Sequence, residues 1–292
     1  VINTLPTRRD EAWKYSDLRA AFADAPLPAM AGEGTVIERL AAGAGAGASE
    51  TRNIAPGQGG IFVAHLETDS FAPAAEHVHV GAGGWYHRIV IQTGAGVPLS
   101  SCRVKLDAGA AFKQFVLGEG GKLARVETIV EAGPNANIEI NGVYLAGAGR
   151  HIDQTSTIVM AGHGGTARQL IKGVARKGGR GVFQGKIVVE RGAQKTDARQ
   201  YHHGMLLEDG AEIYAKPELM IHADDVQCAH GNTAGGLDES KLFYLRSRGI
   251  PEAEARALMI EAFLLEALPD WAPPDVTEEI TGRIQTWLRG GQ

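Results

Sequence analysis

The 292-residue chain has only two cysteines, Cys102 and Cys228, set far apart. That rules out a disulfide framework, and free thiols fit a reducing cytoplasm. No apolar run is long enough to span a bilayer, and the N-terminus lacks the charged-then-apolar order of a secretory signal. The expectation is a cytoplasmic protein with no membrane partner. Positive charge is not in excess either: the formal net charge is −5, which argues against a nucleic-acid partner, because such partners usually require a basic face. Aromatics make up only 6% of the chain. The basic residues Arg168, Lys172, Arg176, Lys177, Arg180, Lys186 and Arg191 therefore lack stacking partners and read as solvated corners. The Gly-rich run Gly43–Gly47 has no preceding strand and no Lys-Ser or Lys-Thr pair, so it is no phosphate cradle. A nucleophile–base–orienter triad is also missing. Neither ATP hydrolysis nor covalent catalysis is expected of this chain.

Glycine, by contrast, is abundant: 39 residues without a collagen period, which points to many turns between short elements. From Ile61 to about Val226 short β-like runs recur, among them Ile61–Val63, Val78–Val80, Ile89–Ile91, Val126–Val130, Ile138–Ile140 and Ile187–Val189. An apolar-x-x-Gly corner repeats at Gly109, Gly133, Gly162, Gly192 and Gly210. Its spacing, on the order of 20–30 residues, overlaps that of solenoids. Units this small bury an apolar face only by stacking. Asn141-Gly142 is the one strong hairpin dipeptide. A sandwich or barrel fits such a pattern as well, but the repeated corners favour a mainly β, parallel β-helix core.

Helices are expected at both ends. Thr7 with Asp10 forms an approximate capping box, and Trp13, Tyr15, Leu18 and Phe22 supply packing. Residues 31–60 read as a flexible Gly/Ala-rich connector. Asp238 caps a helix through Leu242, Phe243, Leu245 and Arg246 that stops at Gly249. Pro251 starts a second helix whose face is Ala255, Leu258, Met259, Ala262, Phe263 and Leu265. A third begins near Asp275 and carries Ile280, Ile284, Trp287 and Leu288. These helices are expected to cover the solenoid's end. The resulting divisions are 1–60, 61–236 and 237–292.

Chemistry concentrates between Glu218 and Gly231, where His230 follows Cys228 by two residues. In an extended segment both side chains leave one face and can reach one target. A thiolate beside an imidazole suits zinc, copper or an iron–sulfur cluster. Gly231 marks a place where a Cβ would be in the way. His77 with His79, and the adjoining His202 and His203, have no thiol or carboxylate at ligand spacing and read as surface or packing residues. Two alternatives remain open on the residues alone. A β-helix carbohydrate-active enzyme needs clustered carboxylates, and Asp224-Asp225 is the only adjacent acidic pair nearby. A zinc module built on His222, Cys228 and His230 lacks a local fourth donor.

The run His230-Gly-Asn-Thr-Ala-Gly-Gly-Leu-Asp-Glu, followed by Leu242-Phe-Tyr-Leu-Arg-Ser-Arg-Gly-Ile-Pro251, closely resembles the C-terminal signature of the SufB/SufD family, in its SufD branch. These are scaffold subunits of the SUF iron–sulfur cluster assembly system. The likeness extends through Phe183–Lys186, Gly192–Ala198, Leu206–Ala211 and Leu5–Tyr15. It implies a right-handed parallel β-helix flanked by helical ends, and a non-catalytic subunit working with a SufB paralogue and the ATPase SufC. Whether the chain pairs with itself as a homodimer when SufB is absent stays open on the sequence. By this resemblance His230, with Cys228 in support, contributes to a nascent cluster at the SufB–SufD interface. The C-terminal helices, with Leu242, Phe243, Leu245, Arg246, Leu258 and Phe263, dock SufC. The cluster is then cargo of the assembled complex, and none is expected tightly bound to the isolated chain.

Overall fold

The computed structural model describes residues 5–22, 28–45 and 47–290, and within them successive short strands alternate between two sheets. One sheet holds β1 (Ser49–Ile54), β3 (Phe71–Val80), β5 (Val97–Leu106), β7 (Ala124–Ala132), β9 (His151–Met160), β11 (Arg180–Val189) and β13 (Glu212–Ile221), in that order. The other holds β2 (Gly59–Glu67), β4 (Trp85–Thr93), β6 (Ala111–Gly118), β8 (Asn137–Ala146), β10 (Thr166–Ala175), β12 (Asp197–Leu206) and β14 (Gln227–Gly235). Every pairing is parallel and skips one strand, so each turn of chain stacks directly on the last. This is a parallel β-solenoid of about seven turns, as such stacking requires.

One corner column explains the glycine content. Gly57, Gly83 and Gly109 have φ of 68°, 65° and 67°, and Asn135, Gly164 and Lys195 continue the left-handed column. That backbone turns each N–H along the solenoid axis onto a carbonyl of the next turn: Gly57 to Ala82 at 3.0 Å, Gly83 to Ala108 at 3.0 Å, Gly109 to Pro134 at 2.8 Å. A left-handed residue costs least when it is glycine. The apolar-x-x-Gly corners are real, but they mix registers. Gly109 lies in this column and Gly210 is left-handed in the opposite corner, whereas Gly133 and Gly162 precede the left-handed residue by two positions.

Three expectations change. Asn141-Gly142 makes no hairpin and lies inside β8, where a Cβ on Gly142 would stand 2.2 Å from Gln154 Oε1. The stretch read as a connector contains α2 (Val36–Ala44), with a full capping box between Thr35 and Glu38, and the whole of β1. Alanine-rich composition concealed a helix whose Ile37, Leu40 and Ala41 are buried. Several basic residues are not solvated corners. Lys172 is buried on β10 beneath Phe263 and pairs with Glu266, while Arg176 stacks on Trp287 at 4.0 Å.

Both outer faces are covered. The N-terminal segment makes only a 3₁₀ turn (Glu11–Trp13) and one helical turn, α1 (Leu18–Phe22), yet it straps across the first sheet. Thr7 and Asp10 do bond each other, through Thr7 N–H to Asp10 Oδ2 at 2.7 Å, but they close a turn and not a helix. Beneath the strap, fully buried Arg125 pairs with Asp153 at 2.8 Å and lies 4.1 Å from the Trp13 ring.

At the other end come α3 (Glu239–Ser247), capped by Asp238 as expected, then α4 (Glu252–Leu265) and α5 (Pro274–Arg289). The buried face of α4 is Ala255, Ile260 and Leu264, not the stripe through Leu258, which is exposed. Helices α4 and α5 lie on the outer face of the second sheet, against Ile89, Phe115, Leu117, Val143 and Leu145. They do not cover the solenoid's end, because the apolar surface that attracts them is on the sheet's outer face.

Candidate functional site

No described strand pairs beyond β13 or β14, so the solenoid ends in an open rung. Register decides what this rung presents. Cys228 is the last member of the column Tyr86, Phe112, Ile138, Ala167 and Ala198. Every earlier member is buried in the main core, and Cys228 packs against that core. His230 ends the neighbouring column of Arg88, Gln114, Ile140, Gln169 and Gln200. Asn232 pairs with His202. Cys228, His230 and Asn232 thus point along the solenoid's inner face. His230 and Asn232 are exposed only because no further turn covers them.

The shared face of the thiol and imidazole, expected from their spacing, is present on an extended strand. Gly231 also has the expected role: a Cβ there would stand 3.0 Å from the Tyr201 ring. Burial pushes the Cys228 thiol above its ordinary value, while a backbone hydrogen bond from Ala198 favours the thiolate. It is therefore a protonated thiol at neutral pH that becomes a ligand on losing its proton. Cys102 lies inside β5, fully buried with its Sγ 3.8 Å from Glu76 Oε2, and burial pushes its thiol to about 12. It is an inert core thiol.

Beneath the open rung lies a polar layer that the sequence reading missed. His202, fully buried, stacks against Phe183 at 5.2 Å and Tyr144 at 5.9 Å. Its Nε2 is 2.9 Å from the Tyr144 hydroxyl and its Nδ1 is 2.7 Å from Asn232 Oδ1. Burial holds it at about 4, so the ring is neutral. Gln200, fully buried directly under His230, has neither amide atom paired among the described residues. The signal was available in the alignment of Gln200-Tyr-His202 with His230-Gly-Asn232 one turn later, an offset that only the stacking period reveals.

Among the described residues no group of three or more His, Cys, Asp or Glu side chains is placed to hold a metal ion. His222 therefore does not complete a zinc set with Cys228 and His230. Asp224 and Asp225 sit in the corner after β13, where Asp225 pairs with Lys195.

Comparison with known proteins then decides the family. A profile described as "SUF system FeS cluster assembly, SufBD core domain" matches residues 60–263. The chain belongs to the SufBD family. It is 34% identical over 186 residues to the iron–sulfur cluster assembly protein SufD of Escherichia coli K12, covering 63% of this chain and 44% of that protein. It is 32% identical over 187 residues to the chloroplastic protein ABCI7 of Arabidopsis thaliana, covering 63% and 39%. A Synechocystis SufBD family protein, slr0076, is 43% identical over 122 residues, covering 41% and 27%. The matches thus span less than half the length of these relatives.

The SufBD match takes in the solenoid from β2 onward and ends at Phe263 in α4. Of the helix residues expected to dock a partner, Phe243 is 72% and Leu258 45% exposed. Arg246 is exposed and pairs with Glu252 at 3.3 Å, and Leu245 is half-buried. Leu242 is buried, and Phe263 packs over Lys172, so neither is a free contact. Tyr244, 57% exposed beside Phe243, is a surface aromatic that the sequence reading passed over. None of the described helices is long and apolar enough to cross a membrane.

Proposed function

We propose that this chain is a non-catalytic, cytoplasmic scaffold subunit that works with a SufB-type paralogue and a SufC-type ATPase. In this reading His230 and Cys228 contribute to a nascent iron–sulfur cluster site shared across the subunit interface. One observation carries it: the solenoid ends in an unpaired rung whose inner face carries a thiol and an imidazole that no further turn covers. A soft and a borderline donor suit an iron–sulfur cargo, and two donors leave a site that a second chain must complete. The unpaired edges of β13 and β14 offer backbone groups to a partner strand, from the paralogue or, in its absence, a second copy. Phe243, Tyr244 and Leu258 supply exposed apolar side chains for the ATPase. The cluster is cargo and leaves with the recipient.

The test is reconstitution of iron and sulfide on the purified three-subunit complex with His230→Ala and Cys228→Ser. Both variants should keep the wild-type thermal midpoint and lose most of the bound iron and sulfide. Wild-type cluster assembly in both would overturn the assignment. A lowered midpoint with normal assembly in the folded fraction would make the pair purely structural.

A further inference from the structure

The hydrogen bonds beneath the open rung bear on a residue that neither chemistry nor spacing had singled out. Tyr144 is fully buried, and among the described residues its hydroxyl has one partner, His202 Nε2 at 2.9 Å. If that nitrogen carried the proton, the hydroxyl's own hydrogen would be left without an acceptor inside the core, which is costly. Tyr144 therefore donates to Nε2, and the ring proton of neutral His202 sits on Nδ1. Nδ1–H then donates to the Asn232 Oδ1 at 2.7 Å. This fixes the amide's orientation: the opposite placement would set two N–H donors face to face. The oxygen is held from below, and among the described residues the Nδ2 hydrogens at the open rung have no partner.

Asn232 lies two residues beyond His230 and four beyond Cys228 on one strand, so the three share a face. The row thus reads thiol, imidazole, amide donor. Nothing in this row is an anion at neutral pH, and a donor beside two ligands fits a species rich in sulfur lone pairs. We infer that Asn232 is a third, non-ligating member of the site, donating a hydrogen bond to a sulfide or thiolate sulfur of the cargo cluster. Tyr144 and His202 are positioning residues that aim it. Hydrogen bonds to cluster sulfurs stabilise the reduced form and raise the potential. This inference rests on the reading of His230 given above.

Two measurements test it. In the isolated full chain, long-range proton–nitrogen correlation on the His202 ring should show the Nδ1–H tautomer; the Nε2–H tautomer would overturn the orientation of Asn232. In the assembled complex, bound sulfide and the cluster's reduction potential are measured for Asn232→Leu, with Asn232→Asp as a polar, same-shape variant that replaces the donor by an anion. Both should lower bound sulfide by roughly tenfold or more, the lower end of what outer ligand-sphere changes do, or lower the potential of whatever cluster forms. A structural role alone would lower the thermal midpoint and leave the potential unchanged. Wild-type sulfide and potential in both variants, with His230→Ala still deficient, would overturn the inference alone. Wild-type assembly in His230→Ala would overturn it together with the reading beneath it.

Discussion

Acid should weaken this fold through His202, and the size of the effect follows from its surroundings. The imidazole is fully buried between two aromatic rings, and burial lowers it to about 4 from its ordinary value of 6.5. Between those two values the unfolded chain binds a proton that the folded chain does not. Stability from this group is therefore complete above the unfolded value and is lost as pH falls towards 4. At 1.36 kcal/mol per unit the loss approaches about 3 kcal/mol, a large part of a typical folding free energy. His202→Phe keeps the stack but cannot titrate. At pH 7 it should be the less stable protein by about 1–3 kcal/mol, because the Tyr144 hydroxyl and Asn232 lose their partner. Lowering the pH should then narrow the gap by about 3 kcal/mol. The remaining titrating groups, including buried His151 and the salt-bridged Glu38 and Glu76, are common to both proteins and cancel. Urea unfolding followed by circular dichroism at pH 7, 6, 5 and 4 measures the gap directly. A gap that stays constant across that range would refute the argument.

Gly173→Ala would place a methyl 2.0–2.2 Å from the Tyr144 ring. It should cost about 1–3 kcal/mol by overpacking, read as a lower urea midpoint. Trp13→Ala removes a buried indole that packs against the Arg125 guanidinium. A loss of about 3–5 kcal/mol in strap docking should appear as limited proteolysis near the N-terminus with the β signal retained; collapse of the whole β signal would show that the strap is integral to the solenoid. Phe243→Asp, at an exposed site, should change stability within about 0.5 kcal/mol and abolish ATPase co-purification, whereas Leu242→Asp should unfold the helix region. Intact co-purification of Phe243→Asp would move the docking surface elsewhere.

Much of the site was legible because it depends on neighbours in the chain. Two residues of an extended strand share a face whatever the fold, so Cys228 and His230 could be paired on spacing alone. The cap at Asp238 and the left-handed Gly249 are equally local. Strands such as β10 and β12 escaped notice because their inward positions hold Gln169, Gln200 and His202, which break the alternation of apolar and polar residues. Tyr144 stands 58 positions before His202, and His202 stands 30 before Asn232, so no local rule joins them.

By itself the sequence determined that the chain is β-rich, that it turns at frequent glycine corners, where its last helices begin, and that one thiol and one imidazole share a strand face. Those properties come from backbone sterics, capping and the two-residue period of a strand, all short-range. Tertiary structure alone decided that β14 is the terminal rung, so that residues continuing buried columns become exposed donors. It also drew α4 and α5 to the outer sheet face and left the end open, because the apolar surface they bury is assembled from β4, β6, β8 and β10 only after stacking. The orientation of Asn232 was decided last, by a buried tyrosine three turns below that must place its one proton.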